Sequence, residues 1–84
     1  MEKNRVKIVI QGETFMVKGS IPPSYVKKMA EHVDKKMQQV KDQHPKLGQQ
    51  KVLVLTCLNL ADEVFKLQEE ISEMESLFNE KENS

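Results

Sequence analysis

Val6, Ile8 and Ile10 alternate with Lys7, Val9 and Gln11, and a second β-forming run, Thr14 to Lys18, follows Gly12 and Glu13. The pattern predicts a hairpin over about residues 5–18. A two-residue type II′ turn at Gly12–Glu13 would set Gln11 opposite Thr14, Ile10 opposite Phe15 and Ile8 opposite Val17, giving one core-facing side. Val9 and Met16 would then face each other on the second side, where a solvated sheet carries polar residues, so a partner chain is expected to cover them. A lone two-stranded ribbon is marginal in water and requires a helix on one face.

The sequence supplies that helix. Gly19, Ser20, Pro22 and Pro23 break the strand, and proline is tolerated in a first helical turn because its missing N–H needs no partner there. Val26, Met29, Ala30, Val33, Met37 and Val40 then recur three and four apart, with lysines between them, which predicts an amphipathic helix over about residues 23–43. Pro45 and Gly48 end it.

A second helix is predicted from Gln49 to about Glu80, with frayed residues beyond. Leu53, Leu60, Leu67 and Met74 fall at seven-residue intervals, and Cys57, Val64, Ile71 and Phe78 follow each by four. They are the d and a positions of one heptad frame, and with Val9 and Met16 they form the predicted oligomer interface. Val52, Val54, Leu55, Leu58, Ala61 and Phe65 broaden the apolar surface of the first half, which is expected to pack on the sheet, the first helix and a second chain. Beyond Lys66 glutamates take over and the stripe narrows. The expected fold class is therefore α+β: a small hairpin-plus-helix head, residues 1–48, and a long C-terminal coiled-coil helix, residues 49–84.

Composition makes self-association the more pressing. The chain has 84 residues, 38% of them hydrophobic and none of them tryptophan, which leaves little material for a self-sufficient core. Cys57 is the single cysteine, so no internal disulfide compensates and a reducing compartment is expected. The first residues lack a signal-peptide core, and the longest apolar stretch, Val52 to Ala61, is about half of what a bilayer span needs. A cytoplasmic location with no membrane contact is expected. Net charge is zero but polarised: residues 1–51 hold eleven Lys and Arg against five Asp and Glu, and residues 52–84 hold two against eight. The head is thus +6 and the rest −6, which suits an acidic protein or a nucleic acid as partner of the head.

Catalytic chemistry finds no foothold. His32 and His44 stand twelve residues apart with no further ligand at metal-site spacing, and both read as surface residues. Cys57 lies in the heptad stripe without a positioned base. Thr14, Ser20, Ser24 and Thr56 read as turn, cap or helix-surface residues, and the three glycines are isolated, so no phosphate-cradling loop is present. The expectation is a non-enzyme with no cofactor and no metal.

Three segments carry a resemblance: Val6-Lys7-Ile8-Val9-Ile10-Gln11-Gly12, then Ala30 to Met37, then Leu53 to Val64 around Leu58-Asn59-Leu60-Ala61-Asp62-Glu63. In this order, and with Pro-Pro between strand and helix, the chain resembles the ZapA family of bacterial cell-division proteins over about residues 5–78. The resemblance implies a protein that binds the tubulin-like division GTPase FtsZ and promotes lateral association of its filaments at the mid-cell division ring. It implies FtsZ-contacting positions at Glu13, Lys41, Gln50 and Leu55, with acidic Glu13 standing where some relatives have a basic residue. The coil is shorter than in long family members, so a homodimer is expected first and a homotetramer next. The alternative is a basic-headed nucleic-acid-binding dimer, against which the scattered lysines and the lack of a reading helix or stacking platform weigh. A coiled-coil tether with a different protein partner shares the architecture.

Overall fold

The computed structural model describes residues 4–83, with side chains through Asn79. Strands β1 (Asn4–Ile10) and β2 (Glu13–Gly19) form an antiparallel hairpin, followed by helices α1 (Pro23–Gln43) and α2 (Gln49–Asn83). The α+β architecture expected from the hydrophobic pattern is the one observed. Helix α2 runs through Asn83, past the boundary expected near Glu80, and Ser84 lies outside the described residues.

The hairpin register differs from the predicted one. Ile10 pairs with Glu13, Val9 with Thr14, Ile8 with Phe15, Lys7 with Met16 and Val6 with Val17. The turn residues are Gln11 and Gly12, at φ +52° and +78°, so the loop has the twin left-handed geometry of a type I′ turn instead of one beginning at Gly12. The register therefore slips by two positions. A slip of two keeps each side chain on its expected face, which is why Val6, Ile8 and Ile10 still point inward.

Helix α1 starts on Pro22, whose carbonyl accepts from the Tyr25 and Val26 amides at 3.0 and 3.1 Å. It stops at His44, which adopts φ −133° and ψ 68° before Pro45 and still donates to the Val40 carbonyl at 2.9 Å. Helix α1 packs on β1 and on the first half of α2, leaving β2 uncovered. Val6, Val26 and Ala30 are buried along the α1–β1 contact. Met37, Val40 and Val52 form a second buried group, with Ile10, Val33, Leu47 and Leu55 packed against it.

Two sequence expectations fail here. Thr56 is 1% exposed instead of lying on the helix surface, because its hydroxyl donates to the Val52 carbonyl one turn back at 2.7 Å and needs no water. Met29, expected in the core stripe of α1, is exposed, since it lies to the side of the line through Val26, Ala30 and Met37. The buried apolar set among the described residues is six side chains, none larger than methionine. This small interior leaves a wide apolar exterior.

Candidate protein-interaction site

Two surfaces stand out, one on each limb of the chain. On the head, one sequence-selected residue packs against the Met37–Val40–Val52 group. Leu55 is half-buried against that group, and with Leu47, Gln50, Lys51 and Val54 it lines an apolar depression where the chain turns from α1 into α2. Lys41 lies in the last turn of α1, close enough to Asp34 to act on its carboxylate. Glu13 is the first residue of β2, directly after the turn that Asp34 holds, and is exposed. Ile10, its cross-strand partner, packs on the same buried group.

Asp34 organises this end of the head, a role that no local pattern in the chain announces. Its Oδ1 accepts from the Gln11 backbone N–H at 2.7 Å and from Gln11 Nε2 at 2.8 Å, while its carbonyl accepts from Nε2 at 3.2 Å. The Gln11 amide, then the Gln11 side chain, and after them the charge of Lys41 hold the Asp34 carboxyl below its ordinary value, outweighing partial burial. The position of the hairpin tip over α1 is thereby fixed.

The second surface is the heptad stripe of α2. Leu53, Val64, Leu67, Ile71, Met74 and Phe78 are each between 48% and 69% exposed, Cys57 is exposed and Leu60 is half-buried. Val52, Leu55 and Thr56 occupy the adjacent face against α1, so packing on the head does not consume the stripe. Covering the exposed halves of six large apolar side chains is worth on the order of 5 kcal/mol per chain. Val54, Leu58 and Phe65 widen the stripe in its first half and are equally exposed. Neither strand runs alongside α2, and the sheet meets it only through the buried group, where Ile10 packs beside Met37, Val40 and Val52. On the hairpin, Val9 and Met16 remain exposed and are not cross-strand partners.

Glu63, a g position of the heptad frame, is engaged within its own chain. It pairs with Lys36 and lies 3.0 Å from His32 Nε2, linking the middle of α1 to α2. Hydrogen bonds from Lys36, then His32, lower its carboxyl from the ordinary value. Lys66 and Asp62 form an i,i+4 pair at 2.9 Å that raises the lysine. Among the described residues no cluster of three or more His, Cys, Asp or Glu could hold a metal ion, and no helix is long and apolar enough to cross a membrane.

The chain matches the model of the family described as cell division protein ZapA over residues 6–83. A cell division protein ZapA from Shouchella clausii is 45% identical over 71 residues, covering 80% of this chain and 91% of the relative. One from Bacillus licheniformis is 30% identical over 80 residues, covering 95% and 94%. Among solved structures, a ZapA mutant dimer from Geobacillus stearothermophilus superposes with a TM-score of 0.71 at 30% identity, over 94% of this chain and 92% of that one.

Proposed function

Since the chain belongs to the ZapA family of cell-division proteins, we propose that it binds FtsZ filaments and crosslinks them as an oligomer at the division ring. The observation that carries this reading is the exposed heptad stripe of α2, which leaves the head free while offering an apolar seam to a second copy. Each chain brings one head. Two chains joined along the seam hold two identical heads, and once one is bound the other meets a neighbouring filament at high effective concentration. Bundling then requires no chemical step.

The surface that meets FtsZ is the group around Glu13, Lys41, Gln50 and Leu55. Leu55 and its neighbours supply an apolar depression with Lys51 on its wall, and Glu13 and Lys41 add charges of both signs elsewhere on the head. Such a pattern of apolar centre and charged margin suits a reversible protein interface. The protein acts in the cytoplasm at mid-cell, where the ring assembles.

The test is cosedimentation with polymerised FtsZ, run beside binding to duplex DNA across a salt series. The reading expects bundling by the natural chain and lost cosedimentation for Lys41→Glu. DNA retention falling steeply with salt, without filament bundling, would replace it with the nucleic-acid reading.

A further inference from the structure

The outer face of the hairpin carries three cations and no anion. Directly opposed residues share a face and alternate along a strand, so Arg5 with Lys18, Lys7 with Met16 and Val9 with Thr14 point away from α1. All six are exposed, Val9 at 53% and Met16 at 59%. Arg5 and Lys18 sit directly across from each other, a like-charge pairing that weakens a hairpin. Glu13, the one acidic residue of the two strands, pairs with Ile10 on the inner face. Among the described residues none of these three cations takes part in an ion pair. At the open edge of β1, Lys7, Ile8 and Val9 border a shallow depression with Lys27, Ala30 and Glu31 of α1, so one carboxylate from the helix lies at the margin of this face.

We propose that this face docks an acidic segment of a partner protein in which carboxylates alternate with apolar side chains. The carboxylates neutralise Arg5, Lys7 and Lys18, and the apolar groups cover Val9 and Met16. Charge excludes the simplest competitor: a second copy presenting the same face about a two-fold axis would set three cations against three cations. A nucleic acid would answer the charges, but it offers nothing apolar to Val9 and Met16, and this face has no aromatic side chain for base stacking. The acidic half of α2 from another copy carries its apolar residues on the heptad stripe, which is committed to the seam. Val9 and Met16 therefore move from the self-interface to a partner interface. The surface is distinct from the group around Lys41 and Gln50, so the two can be tested separately.

The experiment titrates the full chain, isotopically labelled for nuclear magnetic resonance, with a soluble peptide of alternating glutamate and leucine. Amide shifts should concentrate on residues 5–9 and 14–18, with affinity falling as salt is raised. Reversing Lys7 and Lys18 to glutamate should weaken binding about tenfold or more, while Lys41→Glu leaves it unchanged. Lys18→Glu also places a carboxylate opposite Arg5, which favours the hairpin. Met16→Gln retains every charge and gives an independent measure: several-fold weaker binding supports the proposal and unchanged binding overturns it. The proposal also fails if a lysine–leucine peptide binds equally well, if the shifts fall on the α2 stripe, or if duplex DNA competes with comparable affinity.

Discussion

Gln11 and Asp34, 23 residues apart in sequence, are joined by three hydrogen bonds: two to one carboxylate oxygen and one to the Asp34 carbonyl. Gln11 is also the only described non-glycine residue with positive φ. The same residue thus bears the strain of the turn and receives the contact that offsets it, so the hairpin tip and the middle of α1 stand or fall together.

This pair makes the head sensitive to acid. Folding depresses the Asp34 carboxyl, so between the depressed value and the ordinary one of about 3.9 the unfolded chain binds more protons. The contribution is fully present above the ordinary value and disappears as pH falls through the depressed one. Thermal unfolding of the natural chain and of Asp34→Ala should differ most near neutrality, and the gap should narrow as the pH falls below the ordinary carboxylate range.

At Gly12 the prediction concerns backbone alone. No atom lies within 4 Å of where a β-carbon would stand, yet φ is +78°. Gly12→Ala should cost about 1 kcal/mol without any clash, because an L-residue resists the left-handed region. Denaturant unfolding would measure it, and an unchanged midpoint would mean the turn has re-formed with another geometry.

Val52 and Leu67 should separate stability from assembly. Val52 is 1% exposed inside the head, so Val52→Ala should cost about 2 kcal/mol at any protein concentration. Leu67 is 57% exposed on the stripe, so Leu67→Ala should weaken self-association roughly tenfold or more while the head stays intact. Sedimentation equilibrium beside thermal unfolding distinguishes the two effects.

Leu67→Glu goes further and should leave folded single chains that still bind FtsZ but no longer bundle it. Light scattering on a size-exclusion column reads the first outcome and cosedimentation the second. Bundling by a verified monomer would mean that the seam does not supply the second head.

The elements of this fold were legible because each announces itself locally. Three- and four-residue spacing bounded α1, Pro-Pro and His-Pro marked its ends, and the heptad positions of α2 were readable one by one. The strand faces were legible too, since alternation survives a register slip of two. The register itself was not: glycine suits the first position of a type II′ turn and the second of a type I′ turn, and the second prevails because Gln11 occupies a left-handed position held by Asp34 from another element. Thr56 was misread for a related reason, because its hydroxyl is satisfied by its own helix and the residue can then be buried like a valine. Of the head positions, Leu55 betrayed itself as apolar, but its packing against Met37 and Val40 depended on the angle between the two helices.

Helix α2 contains neither glycine nor proline over its 35 residues, and so it behaves as a strut about 50 Å long. A strut transmits torsion as well as distance. Inserting two residues beyond the head would lengthen it by only about 3 Å while turning everything past the insertion by about 200°. The azimuth at which a head is offered to a filament is thus set by residue count along this helix, and evolution can re-aim the head without altering its reach.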